Sequence, residues 1–461
     1  MAEQPKTHPS FGRGASWTLL SQAITFLTAA AASILLGRIL GPGGKGMVSL
    51  INLVVMIMFL VGGLGIPLAN TYLTGRGRFS VGELIGNSSL ASFTVGPVVF
   101  VLMVVAYPGL YQNVLRHVGL RYLLLAGASI PLVILANNLY AILWGQQKFR
   151  FAAIINMAMR TADFILLVIL LVVFRLGVWG AVLAMVARPV FGLATYLWAL
   201  RERPRALLPR YQPAVAKESV GYGLRVQLGQ VIEFFNLRLD LFLVNYLTLG
   251  GKVEVGLYGT AVAVAEMLWY LPNALGSMLL ARTAASAEQE ASRFTPVVCR
   301  QALMLMVLAA VPLYFIGSVL IPRLYGKSFA GSVPPLALLL PGVVALGLAK
   351  VLSTDLAGRG HPEYVSYVSG GALAVTLVLD FLLIPLPGYY GGIHGAAIAS
   401  SIAYGCAALA VLICFLRVSG ASLSETILPR RSDLAIYRRL VGELLRRPVS
   451  PPTLGPEGPS C

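Results

Sequence analysis

The residues best equipped for chemistry in this chain are charges that stand inside apolar helices. Asn156, Arg160 and Asp163 follow one another at i, i+4 and i+7, so they share one helical face. Arg188 precedes Pro189 in the next apolar run, where the proline also frees a backbone carbonyl. A third run carries Arg225, Glu233, Asn236 and Asp240, which fall within about 80° of one another on a regular helix and form a polar stripe. Arg238 points elsewhere, with Gln227 and Asn245, and later runs add Glu266 and Asp380. The first run has a milder, uncharged stripe of Thr18, Ser21, Gln22, Thr25 and Thr28.

An ionised side chain at mid-helix in a bilayer costs at least about 2.5 kcal/mol and persists only where it faces protein or water. One reading is that these groups are self-satisfied pairs, such as Arg160 with Asp163, that staple helices together. Against it, Arg160, Arg188 and Arg225 outnumber their nearest acids once Asp240 is assigned to Arg238. A surplus of cation facing a cavity calls for an anion, and the planar fork of arginine suits phosphate. Arg160, Arg188 and Arg225 are therefore the expected phosphate-binding residues. Asp163, Glu233, Asp240 and Glu266 are expected to serve ion coupling or charge balance. Gln22, Thr25, Asn156, Asn236 and Arg238 are the expected cavity lining, although the small hydroxyls of the first run equally suit helix packing.

The elements that must position them follow from composition. Of 461 residues, 57% are hydrophobic and only 11% charged, against roughly 25% charged in an ordinary soluble domain. Lipid must solvate the bulk of such a chain, and apolar runs long enough to cross a bilayer recur from end to end. Reading them against polar and Gly/Pro breaks predicts an all-α membrane protein of about twelve spans: 17–36, 48–73, 84–107, 120–144, 151–174, 178–200, 220–247, 256–281, 296–320, 333–352, 364–386 and 393–416. The first run is too long for a signal segment and reads as an uncleaved helix. Cys299, Cys406, Cys414 and Cys461 show no paired spacing, which suggests inert thiols with neither a zinc site nor a disulfide framework.

An even number of spans puts both termini on one side. Roughly two thirds of the 35 Lys and Arg residues fall in segments on that side, while under a quarter, Arg38 and Lys45 among them, fall in the opposite loops. The termini are accordingly expected in the cytoplasm and the chain in the inner membrane. The net charge of +17 reports this topology, so nucleic acid is not an expected partner.

The halves also echo each other in order. Gly46 before the second span corresponds to Gly256 before the eighth, Gly145 before the fifth to Gly358 before the eleventh, and Gly177-Val178-Trp179-Gly180-Ala181 to Gly392-Ile393-His394-Gly395-Ala396. A slowly drifting offset is what duplication with small indels leaves. Six spans per half make the repeat parallel, with an axis along the membrane normal. The expected organisation is a six-helix lobe at 1–200, a basic linker at 201–218, a second lobe at 219–417 and a basic tail at 418–461.

With these motifs in order, the chain resembles the polysaccharide-exporter, or Wzx-type oligosaccharide flippase, family of the multidrug/oligosaccharidyl-lipid/polysaccharide (MOP) superfamily. The resemblance covers nearly the whole chain and rests on Gly37-Arg38-Ile39-Leu40-Gly41-Pro42 with Gly46, on Arg238-Leu239-Asp240 followed by Val255-Gly256-Leu257-Tyr258, on Ala265-Glu266 and Leu271-Pro272, and on the paired Gly-x-x-Gly-Ala turns. It implies V-shaped lobes around a central cavity that opens alternately to either side, carrying an undecaprenyl-diphosphate-linked oligosaccharide for O-antigen, capsule or exopolysaccharide synthesis. Arg160, Arg188 and Arg225 would then meet the diphosphate.

Other functions fit less well. A multidrug exporter of the superfamily would place an acid in the first span, and 17–36 has none. Lipid II flippases commonly carry two further C-terminal helices, whereas a polar tail follows Leu416 here. A membrane polymerase or ligase would need a large outer loop bearing catalytic groups, and no loop reaches that size. No cofactor is expected, and the acids leave room for H+ or Na+ coupling. In the tail, Leu434, Tyr437, Leu440, Val441, Leu444 and Leu445 recur at helical spacing among Arg438, Arg439, Arg446 and Arg447. That basic amphipathic helix suits the anionic leaflet, a pathway polymerase or glycosyltransferase, or simple fraying in solvent.

Overall fold

A computed structural model describes residues 10–113, 118–200, 210–270 and 288–430, with a few isolated positions between and beyond them. The stretch 201–209 of the predicted linker and the amphipathic stretch from Leu434 to Arg447 lie outside the described residues. Every described element is helical, as the density of apolar runs requires, because a bilayer leaves no water to satisfy an unpaired backbone.

Each of the twelve expected spans has a helical counterpart. The first two are continuous over Ser10–Gly63 apart from Gly41, whose left-handed backbone ahead of Pro42 redirects the chain without a loop. The second span breaks again at Leu64 and Gly65, both at positive φ, and resumes as Ile66–Arg76. Then follow Val81–Asn113, Leu120–Ala128 with Ile130–Gly145 as one bent fourth span, Phe149–Val168 ending in a wider turn at Ile169–Val173, and Val178–Leu200. The second half comprises Pro213–Leu247, Lys252–Glu266 with a tight turn at Met267–Trp269, Glu288–Tyr325, Val333–Gly358, Pro362–Leu383 and Gly392–Ser419, after which comes a short helix, Leu423–Ile427. Among the described residues, 9 helical stretches are long and apolar enough by themselves to cross a membrane. The first two spans count as one of these, and the seventh and eighth are too polar to qualify by composition.

Contacts between the halves include two close crossings. At the end of the molecule remote from Ser10, the repeat-related Gly46 and Gly256 meet: a Cβ on Gly46 would lie 1.8 Å from the Lys252 carbonyl oxygen, and one on Gly256 would lie 1.9 Å from that of Pro42. The contact is reciprocal, as a two-fold relation between repeats demands. Towards the other end, the broken second span lies along the seventh. Gly65 packs backbone to backbone against Gly223, Gln227 donates to the Leu60 carbonyl, and the Tyr72 and Tyr222 rings stack with centroids 4.6 Å apart. Arg78 closes the row on Glu218 at 2.9 Å.

Lys45, which the sequence assigns to a loop, is instead built into a helix, as are Arg300 and Lys350 within the expected ninth and tenth spans. Lys45 is buried in the second span, donating to Ser33 Oγ at 3.0 Å and Thr260 Oγ1 at 2.7 Å beneath the Tyr325 ring. No loop separates the first two spans, so this lysine is carried inward. Lys350 stands within the tenth span. Arg300, in the ninth, is 4% exposed and grips Asp433 at 2.7 and 3.0 Å, tying the tail to the helix.

Candidate functional site

A cavity of about 490 Å³ opens among the second, fourth, fifth and sixth spans. Its polar lining includes Asn52, Asn137, Tyr140, Asn156, Arg160, Arg188 and Tyr196. The i, i+4 spacing of Asn156 and Arg160 places both on the cavity wall, and Arg188 enters from the sixth span beside Pro189. A smaller cavity of about 270 Å³ shares Asn52, Met185 and Arg188 with it and extends to Lys45 and Asp163.

The two arginines are held differently. Arg188 donates through Nε and Nη2 to Asp163 Oδ2 at 3.0 and 2.6 Å. Arg160 has no hydrogen bond or ion pair with any described residue, so the pairing of Arg160 with Asp163 weighed from the sequence is replaced by Arg188 with Asp163. One turn apart on the same helix, Asp163 leans to the sixth span and leaves Arg160 to the cavity. Asn156 donates to Ser21 Oγ at 3.0 Å and Thr25 Oγ1 at 3.2 Å, which ties the hydroxyl stripe of the first span to this wall; Gln22 beside them is half-buried. Thr28 bonds back to its own helix at Ile24.

Arg225 is not part of that cavity. It is exposed on the seventh span, because Gln227, about 200° away in helical phase, is the residue turned in to the Leu60 carbonyl. The structure thus brings together two of the three arginines.

Acids in the second half sort in a way the sequence did not reveal. Arg238 makes a two-pronged pair with Glu266 at 2.5 and 2.8 Å, and not with Asp240 as assigned above. Two residues along a helix place Arg238 and Asp240 on opposite sides, so each finds partners on a different neighbour. Asp240 is buried and accepts from Tyr258 Oη at 2.6 Å, Ser400 Oγ at 3.3 Å and the Leu241 amide at 2.7 Å. Asn236 accepts from Thr376 Oγ1 at 3.2 Å. Glu233 is largely exposed, 3.9 Å from Lys350 Nζ. Asp380, on the eleventh span, is fully buried and neither of its carboxylate oxygens has a partner among the described residues. An unpartnered acid in such a place is the costliest polar group in the second half. Its sequence signal was a lone acid in an apolar run, which position alone made look peripheral. Lys45 carried a different signal, the glycines around it, since small residues admit a neighbouring helix.

Comparison with known proteins places this geometry in context. Residues 11–280 match the model of a family described as polysaccharide biosynthesis protein. A comparison with curated proteins finds no match. Among solved structures, an inward-facing multidrug resistance MATE family transporter of the MOP superfamily superposes with a TM-score of 0.74 at 16% identity, covering 86% of this chain and 94% of the other. The lipid II flippase MurJ in an inward closed conformation gives 0.69 at 13% identity, covering 92% and 96%. A MOP superfamily transporter from Pyrococcus furiosus, described as having reversed polarity of its binding pocket, gives 0.66 at 15% identity over 89% and 95%. The fold is that of the MOP transporters, and the chain is a multi-pass membrane protein.

Proposed function

Because the chain belongs to the polysaccharide biosynthesis protein family, we propose that it is a flippase that moves an undecaprenyl-diphosphate-linked oligosaccharide across the bacterial inner membrane by alternating access. The cargo is a precursor of a surface polysaccharide: O-antigen, capsule or exopolysaccharide. The observation that carries this reading is Arg160, a guanidinium on the wall of a cavity with no carboxylate bound to it among the described residues, next to Arg188. A cation held that way is attractive to a diphosphate, which offers several oxygens for forked bonds. Asn137, Asn156 and Tyr140 would complete the cradle, with Arg225 meeting the headgroup on its way in.

On this reading residues 1–200 and 219–417 act as two lobes, linked by 201–218, and 418–461 forms a cytoplasmic tail beside the cytoplasmic N-terminus. Asp240 and Asp380 are the groups best suited to bind a coupling H+ or Na+, being buried acids without a cationic partner in hydrogen-bond contact among the described residues. Glu266, clamped to Arg238, balances charge, as Asp163 does for Arg188. Membrane lipids surround the lobes, and a polymerase or glycosyltransferase of the same route is a fitting partner for the tail.

The test is accumulation of lipid-linked oligosaccharide on the cytoplasmic leaflet. An Arg160→Ala, Arg188→Ala double variant, folded and present at normal level, should trap the precursor and abolish surface glycan. Normal surface glycan in that variant would overturn the proposal.

A further inference from the structure

The second half contains a cavity of its own, about 260 Å³, among the seventh, tenth, eleventh and twelfth spans with Asn273 of the eighth. Its position follows from the internal repeat. At the spacing that relates Gly145 to Gly358, the wall residues Ala136, Asn137 and Tyr140 of the first-half cavity fall on Ala349, Lys350 and Ser353, and Asn156 falls on Ser369. At the spacing of Gly180 to Gly395, Tyr196 falls on Val411. All five counterparts line the second cavity. The fourth-, fifth- and sixth-span walls named here thus have counterparts in a related chamber of the second half.

Their chemistry has diverged. By the same spacings Arg160 corresponds to Leu373, Arg188 to Ala403 and Asp163 to Thr376, so the charged centre of the first chamber has no counterpart. Lys350 is close to Glu233 and stands 5.0 Å over the Trp269 ring; its charge is answered locally. What remains is neutral and polar. The lining includes Asn273, Ser353 and Ser369, which make no hydrogen bond with any described residue, together with Asn236 and Thr354. A concave site with unspent amide and hydroxyl groups recognises a ligand rich in hydroxyls.

We infer that the second-half cavity is a saccharide subsite, which takes a sugar ring of the cargo while the first-half arginines hold its phosphates. The inference rests on the flippase reading above and adds a division of labour between the two chambers: charge on one side, hydroxyl recognition on the other.

The experiment uses full-length protein purified in detergent and two probes: undecaprenyl diphosphate without sugar, and the glycan-bearing undecaprenyl diphosphate extracted from the host membrane. A Ser353→Ala, Ser369→Ala double variant and a cavity-filling Ser369→Met variant are compared with the native chain. Both should bind the sugar-free lipid as the native chain does and the glycan-bearing lipid about tenfold more weakly, the loss expected for two hydrogen bonds. Unchanged affinity for the glycan-bearing lipid, or an equal loss for both lipids, would overturn the inference. In the same assay Arg160→Ala should weaken both lipids. A native chain that binds neither lipid would instead remove the flippase reading itself.

Discussion

Arg160 and Arg188 lie on one wall yet should respond differently to substitution. Arg160 has no hydrogen bond or ion pair with an acid among the described residues, so Arg160→Ala is expected to cost one or two charge-assisted bonds to phosphate, about 10- to 100-fold in affinity for undecaprenyl diphosphate. Arg188 is shared with Asp163. Asp163→Asn should free it, tightening lipid binding severalfold while slowing turnover, readable as a lower dissociation constant together with a lower transport rate in proteoliposomes. The positions of Arg160 and Asn156 were legible because helical spacing alone sets them on one face. The partners were not: the choice between Asp163 and Asp240 as mates for nearby arginines depends on which neighbouring helix each side chain reaches. Sequence separation says little about that, as the clamp of Arg238 on Glu266 illustrates.

Helices, as units, are located here by their crossings. Adding one methyl at Gly46 or Gly256 would drive it into a partner carbonyl, so Gly46→Ala should cost about 1–3 kcal/mol, seen as a lower thermal midpoint in detergent. Many span limits were readable from hydropathy to within a few residues, but the seventh and ninth helices begin at Pro213 and Glu288, well before their apolar runs at 220 and 296. The break at Leu64 and Gly65 was not readable, because the apolar pattern runs through it unchanged. Nor was the burial of Lys45, since a polar Gly-Pro-Gly-Gly stretch reads as a loop wherever the backbone continues as helix. In the tail, the hydrogen bonds from Arg300 hold the Asp433 carboxyl below its ordinary value. A depressed carboxylate stabilises the fold above its unfolded pKa and loses that effect as pH falls through the folded one. The hydrogen-exchange protection factor over 423–430, which removes the intrinsic pH dependence of amide exchange, should therefore be flat from neutral to about pH 5 and fall in stronger acid. Asp433→Asn should reproduce the acid behaviour at neutral pH, because it strands a buried guanidinium.

For the whole molecule, the proposed alternating access would require the row of contacts between the second and seventh spans to part. Cysteines replacing the stacked Tyr72 and Tyr222, joined by a short bifunctional thiol reagent, should stop transport, and a cleavable version of the reagent should restore it on reduction. Transport that continues in the linked protein would assign the movement to other helices. The fold as a whole was written plainly in the chain, since period, length and repeat all point the same way. Cavities were harder to foresee, because a void is what several helices leave between them and belongs to no one segment.

The crossing of Gly46 with Gly256 has one more implication. Two bare backbones lie almost flush there, with hardly any hydrocarbon trapped between them. Dispersion at such short range holds the faces together while closed, yet separating them wets peptide groups that water solvates readily and uncovers few methyls. A closure of interlocked leucines would resist each opening with the full cost of hydrating oily surface. One made of glycine can unseal and reseal repeatedly at little penalty, which would suit the proposed alternating access if this crossing parts in each cycle.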